Sequence, residues 1–101
     1  MNKKKEMQKI YEYQKEDGCI LCKALGEKQT TYTEIHHLRS GKGISQRGVK
    51  CIPLCVKHHR THEGFHGLGR KGFERTYNLS EDKLLEKWES QSELNVDWDL
   101  F

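Results

Sequence analysis

Residues 34 to 66, EIHHLRSGKGISQRGVKCIPLCVKHHRTHEGFH, hold all six histidines of the chain: His36, His37, His58, His59, His62 and His66. Two of the four cysteines, Cys51 and Cys55, lie in the same stretch. Surface histidines do not gather in this way. The segment reads as a metal-bearing site, and the basic residues around it point to a polyanionic partner.

Upstream, Cys19-Ile20-Leu21-Cys22 is a CxxC pair, two thiolates that can converge on one zinc from a tight turn. A redox dithiol shares that spacing but expects a βαβ context. Here a polar turn over 26–29 follows instead. Cys55-Val56-Lys57-His58 repeats the spacing with a Cys/His pair. Cys19, Cys22, Cys55 and His58 together make a Cys3His set suited to tetrahedral structural zinc.

The run over 30–35 is β-branched and aromatic, a strand leading into His36-His37. Side chains alternate along a strand, so two adjacent histidines divide their labour: one binds metal and the other acts elsewhere. Residues 40–48 form a glycine-rich basic loop. Its backbone can approach a ligand closely and its charges suit phosphate. It lacks the GK[ST] ending of a Walker loop, and its plainer reading is a flexible hairpin connection. Residues 49–54 make a return strand, with Pro53 marking its end or an edge. A helix is expected from near Val56. His58 and His59 then differ in direction by about 100°. If His58 closes the zinc set, His59 points toward the His36–His37 side. His59 and Glu63 share a helical face. His62 reads as a surface histidine, and His66 lies beyond Gly64, a residue that can break the helix.

The chain has 101 residues, of which 34% are hydrophobic and 33% charged. So thin a core leans on a metal or on disulfides. The opening MNKKKEMQKIYEYQK is charged throughout, with no apolar core of a signal peptide. No run approaches the roughly 20 apolar residues of a membrane span. The expected compartment is reducing, where cysteines near histidines bind metal more often than they pair. The net charge of +3 is unevenly spread. Residues 36–75 carry nine Lys or Arg against Glu63 and Glu74, a net +7, whereas 76–101 carry a net −5. Positive charge and metal ligands therefore share one segment, which favours a phosphate-bearing partner.

Helices flank this centre. Residues 3–16 are good helix formers with Met7, Ile10 and Tyr11 at helical spacing, stopped by Gly18. Phe73 and Tyr77 give a short helix over 68–78 an inward face and leave Arg70, Lys71 and Arg75 in water. Ser80 suits an N-cap, with Glu81 and Asp82 in the first turn and Leu84, Leu85 and Trp88 as the apolar face. Residues 93–101 read as an acidic tail with Leu94, Val96, Trp98, Leu100 and Phe101 interleaved, or equally as a final segment packed on the domain by Trp98 and Phe101. The fold class is α+β: one domain over 1–92, with helices over 69–92 closing it, and a tail over 93–101.

A CxxC pair, then a histidine at a strand end, then Pro53-Leu54-Cys55 followed by the His58–His59 pair, resembles the HNH endonuclease superfamily. More closely, EIHHLRSGKGISQRGV and IPLCVKHHRTHEGFHGLGRKGFERTY resemble the Ref-like (recombination enhancement function) nucleases of phages and bacteria. The likeness runs from Cys19 to Tyr77. It implies a zinc-stabilised ββα-metal core, treble-clef-like, and metal-dependent hydrolysis of DNA. By that likeness Cys19, Cys22, Cys55 and His58 hold structural zinc, and His37 falls at the general base. His36, His59 and His66 fall at catalytic metal positions for Mg²⁺ or Mn²⁺, or for Ni²⁺ or Zn²⁺. Arg39, Lys42, Arg47, Arg60, Arg70 and Lys71 would position the DNA backbone. The implied setting is the cytoplasm of a bacterial or phage-infected cell, with a RecA-type recombinase filament or another DNA-repair protein as partner. The acidic tail loosely resembles Phe-terminated tails that dock on such proteins. Two departures stand out. The middle Asn of the HNH pattern falls near Lys50. Cys51 has no counterpart, so it is either a free buried thiol or a rival of His58 for zinc. The competing reading is a zinc-stabilised nucleic-acid-binding module without catalysis, which has no use for His36, His37, His59 and His66 together.

Overall fold

The first helix, α1 (Lys3–Asp17), lays Ile10 and Gln14, one turn apart, against the centre of the domain. The computed structural model describes residues 3–29, 31–38 and 50–98. The glycine-rich basic loop, with Arg39, Lys42 and Arg47, lies outside the described residues. Gly18 ends α1 in the left-handed region, φ 83°, and its N–H returns to the Gln14 carbonyl at 3.1 Å. A side chain with a Cβ would strain there.

The CxxC pair does not sit in a bare turn. Cys19 caps a short helix, α2 (Ile20–Leu25), with its sulfur accepting from the Cys22 N–H at 3.4 Å. Gln29 folds back onto Cys19, its Oε1 accepting from the Cys19 N–H at 2.9 Å.

Strand β1 (Thr33–His37) pairs antiparallel with β2 (Cys51–Cys55), His36 opposite Ile52 and His37 opposite Cys51. With the five described helices, this two-stranded sheet makes an α+β fold. Pro53 lies in the middle of β2 and is buried; of the end or edge that the sequence pattern offered, the edge holds, since among the described residues β2 pairs only with β1. The ladder explains why it fits. Backbone bonds link Leu38 to Lys50 and Val56 to Tyr32. Pairing alternates between bonded and non-bonded pairs, so Pro53 opposite Ile35 falls at a non-bonded position and its missing N–H costs the ladder nothing. The outward carbonyl of Cys51 accepts from Gln14 Nε2 at 2.7 Å, so α1 covers this edge.

The helix expected from Val56 is a single turn, α3 (Val56–His59), ending at Arg60. The Thr61 hydroxyl takes the Lys57 carbonyl at 2.5 Å, and the Gly64 N–H takes the Thr61 carbonyl at 2.8 Å. A Cβ on Gly64 would stand 2.7 Å from the His58 backbone, so the fold-back needs glycine. Glu63 therefore does not extend a helical face with His59. It reaches Lys57 instead, at 3.5 Å.

Helix α4 (Phe65–Tyr77) starts earlier than the aromatic spacing predicts, and Gly69 (φ 75°, ψ 166°) divides it into two pieces. The second piece carries Phe73 and Tyr77. Helix α5 (Glu81–Gln91) is capped by Ser80, whose Oγ accepts from the Lys83 N–H at 3.2 Å. Leu84, Leu85 and Trp88 enter the core with Phe73, Leu21, Ile52 and Leu54. Trp88 Nε1 donates to Asp17 at 2.9 Å, fastening α5 to α1. No helix among the described residues is long and apolar enough to cross a membrane.

Of the two readings of the acidic end, a tail or a packed final segment, the packed one holds as far as Trp98. Leu94 and Val96 pack against the core, Trp98 is buried, and its Nε1 donates to Glu89 at 3.2 Å. The apolar residues at every second position are what bind this segment back onto the domain. Residues 99–101 lie outside the described residues. Replacing Trp98 by Ala should lower unfolding free energy by about 3 kcal/mol, the usual scale for a buried Trp. Urea denaturation checks this, and an unchanged midpoint would mean that the segment contributes nothing to the domain.

Candidate metal centres

Among the described residues, two clusters of metal-ligating side chains form where β1, β2 and α3 meet α2 and α4. In the first, Cys19, Cys22, Cys55 and His58 are all buried, with their ligand atoms within 4.8 Å of one another. This is the Cys3His set read from the sequence. Its edges can be tested against zinc. With Zn–S of about 2.3 Å and Zn–N of about 2.0 Å, a regular tetrahedron has S···S edges of about 3.8 Å and S···N edges of about 3.5 Å. The Cys22 and Cys55 sulfurs are 3.8 Å apart. His58 Nδ1 lies 3.4 Å from Cys22, 3.4 Å from Cys55 and 3.6 Å from Cys19. The residues fit a tetrahedral metal of zinc's size, and all four cysteines are free of disulfides.

The electrostatics of the four groups, with no ion among them, pull in different directions. Burial pushes the Cys19 and Cys22 thiols up. Burial also acts upward on Cys55, but hydrogen bonds from the His58 backbone and its neighbours outweigh it and hold the thiol below its ordinary value. Burial lowers His58, favouring the neutral imidazole that a metal needs. Its other nitrogen, Nε2, faces Glu27 at 3.5 Å, a carboxylate that fixes the ring behind the ligand atom.

Cys51 lies apart from this set. It is buried beneath α1, and its thiol is pushed up to about 12, by burial against a weaker opposing bond from Gln14. Of the two roles left open for it, the structure favours the inert buried thiol.

The second cluster joins His36 from β1, His59 from α3 and His66 from the first turn of α4, again with ligand atoms within 4.8 Å of one another. His36 is buried, His59 half-buried and His66 exposed, so the cluster opens on one side. His59 and His66 meet at 3.1 Å between their Nε2 atoms. Each of the two inner rings has a carboxylate behind it. Glu81 Oε2 lies 2.7 Å from His36 Nε2, and Glu34 Oε1 lies 2.9 Å from His59 Nδ1. Glu34 is itself gripped by Arg60, whose Nε donates to it at 2.9 Å. Burial alone would raise Glu34, but its bonds from His59 and Arg60 outweigh this and hold it below the ordinary carboxylate value.

His37 stands outside this trio. Its Nε2 meets the Tyr11 hydroxyl of α1 at 3.2 Å. Burial, and then the neighbouring charges of His36 and His59, keep its pKa below the ordinary value. The adjacent histidines thus face different surroundings, as strand alternation requires. His62 is exposed. Arg70 and Lys71 are exposed on α4 just beyond the Gly69 break, whereas Arg60 is committed to Glu34.

Four side chains of these sites escaped the sequence reading: Glu27, Glu34, Glu81 and Tyr11. Glu34 had a local signal, since it lies two residues before His36 and shares its strand face. Glu81 had none, for it reaches His36 across 45 residues. No family model, curated protein or solved structure matches the chain.

The first cluster predicts one tightly held zinc per chain. Cys51→Ala should retain it, whereas Cys19→Ser, Cys55→Ser and His58→Ala should lose it, and chelation should unfold the domain because metal and fold are coupled. Elemental analysis with circular dichroism decides. Zinc lost from Cys51→Ala but kept in His58→Ala would reverse the ligand assignment.

Proposed function

We propose that the chain is a metal-dependent endonuclease that hydrolyses DNA phosphodiester bonds on an HNH-type ββα-metal core of the Ref-like kind. The observation that carries this reading is the convergence of His36, His59 and His66, apart from the Cys3His cluster and with His37 alongside. A module that only binds nucleic acid needs the first cluster alone. Two buried or half-buried imidazoles with carboxylates behind them are an expensive arrangement for a binding surface.

In this reading a divalent ion at the three histidines supplies charge relief for the phosphate and the leaving oxygen. The protein's own groups do the rest. His37 takes a proton from the attacking water as the new P–O bond forms. Tyr11 occupies Nε2 of that ring, so Nδ1 is the nitrogen turned to the water. The bond from phosphorus to the 3′-oxygen breaks, leaving a 5′-phosphate and a 3′-hydroxyl that takes its proton from solvent. Arg70 and Lys71, with Arg39, Lys42 and Arg47 of the basic loop, hold the backbone without reading bases. A recombination role, with a recombinase filament as partner, belongs to the same proposal and rests on the family likeness.

The test is nicking of single-stranded, duplex and branched DNA with several divalent metals. His37→Ala should keep zinc, fold and DNA binding while losing cleavage by about two to four orders of magnitude, the scale of a missing acid–base group. His59→Ala should also lose cleavage, but raised metal concentration should restore part of it. A His37→Ala protein that cleaves as fast as the parent in single turnover would move the base elsewhere, with His36 next in line.

A further inference from the structure

Glu81 is the most deeply buried carboxylate among the described residues, 1% exposed, and nothing in the chemistry above uses it. It begins α5, outside the segment that carries the nuclease-like motifs. An acidic residue in the first turn of a helix ordinarily stays in water and gains from the helix dipole there. This one is turned inward instead, onto His36, which is also 1% exposed. Burying a carboxylate is costly unless a partner holds it. One such partner here is an imidazole nitrogen of His36, at a distance typical of a charge-assisted hydrogen bond.

We propose that Glu81 is a positioning residue that fixes the tautomer of His36 and tunes its metal site from behind. The inference rests on the reading of His36, His59 and His66 as a metal site. With Nε2–H donated to Glu81, the nitrogen of His36 left for a metal is Nδ1. His59 is arranged the other way round: Nδ1–H goes to Glu34, and Nε2 faces His66. The two rings therefore present opposite nitrogens, each chosen by its own carboxylate. The ligands are three neutral imidazoles, so the carboxylates at Glu81 and Glu34 also return negative charge to a site that takes a dication. Helix α5 becomes part of the metal centre, and the domain cannot present His36 correctly without it.

The experiment uses full-length protein carrying zinc in its Cys3His cluster, titrated with Co²⁺ and followed by visible absorption. Glu81→Gln keeps the size of the side chain. It should weaken Co²⁺ binding by about 10–100-fold, the usual loss when the partner of a metal-bound histidine is changed. Glu86→Gln, on the exposed face of the same helix, should bind as the parent does. A folded Glu81→Gln protein with the parent's Co²⁺ affinity would overturn the role of Glu81 and leave the metal site standing. A parent that takes up no second ion would overturn both. Should Glu81→Gln not fold, nitrogen-resolved NMR of the parent imidazoles during a Zn²⁺ titration decides in its place. Nδ1 of His36 and Nε2 of His59 should shift on binding, while the Nε2–H of His36 persists. A shift at Nε2 of His36 instead would overturn the proposal.

Discussion

The contact of His58 Nδ1 with three sulfurs holds the rest of the domain in register. It joins α2 to the junction of β2 and α3, across separations of up to 39 residues. The apolar core is small, and much of it is the cluster's own surroundings: Ile20 and Leu21 beside the cysteines, with Phe73 and Tyr77 beyond His58. A core of this kind does not specify one arrangement by burial alone. Four convergent ligands do, because a tetrahedral set tolerates little displacement. The position of β2 against α2 follows, and with it the register that places His36 opposite Ile52.

The same turn of helix serves two sites. His58 points into the cysteine cluster, and His59, one residue on, points to His36 and His66. A rotation of α3 that spoiled one site would spoil the other. The abrupt end of α3 matters as much as its direction. Had the helix continued, residue 63 would have lain below His59. Because Gly64 allows the chain to fold back against the His58 and His59 backbone, His66 is delivered to that place instead. Gly67 has the same close approach, with Thr61 and His62 where its Cβ would be. The geometry of the second cluster is thus set by backbone contact at two glycines, more than by helix periodicity.

The parts of this that were legible in the sequence are those governed by local rules. The CxxC and CxxH spacings marked the first cluster because ligands three apart on a turn must converge. Strand alternation separated His36 from His37, and helix geometry separated His58 from His59. The serine cap of α5 and the end of α1 at Gly18 are equally local. The features left open or missed were those that depend on distant partners. Pro53 marked a strand end or an edge, and the choice between them depends on pairing and register, which are not visible in one strand. Leu94, Val96 and Trp98 could be read as an acidic tail or as a packed end, because charge dominates their surroundings in sequence, whereas in the fold it is their alternation that meets the core. Glu81 looked like an ordinary first-turn acid for the same reason, its partner being on β1.

The two clusters differ in a way that bears on what each is fitted to do. The first offers three thiols and one imidazole, closed in by burial on every side. Thiolate ligands more than neutralise a dication, and a closed shell leaves no position for anything else, which suits a structural ion. The second offers three neutral donors and is open at His66. Its negative charge lies one imidazole further out, at Glu81 and Glu34. An ion held by neutral ligands keeps most of its charge at its exposed side. Carboxylates bound directly would have spent that charge on the protein. Set behind the imidazoles, they orient the rings and favour uptake of the ion while leaving its outer face electrophilic. The division between a closed, anionic cluster and an open, neutral one is what distinguishes the staple from the candidate working site, and it follows from residue type and burial alone.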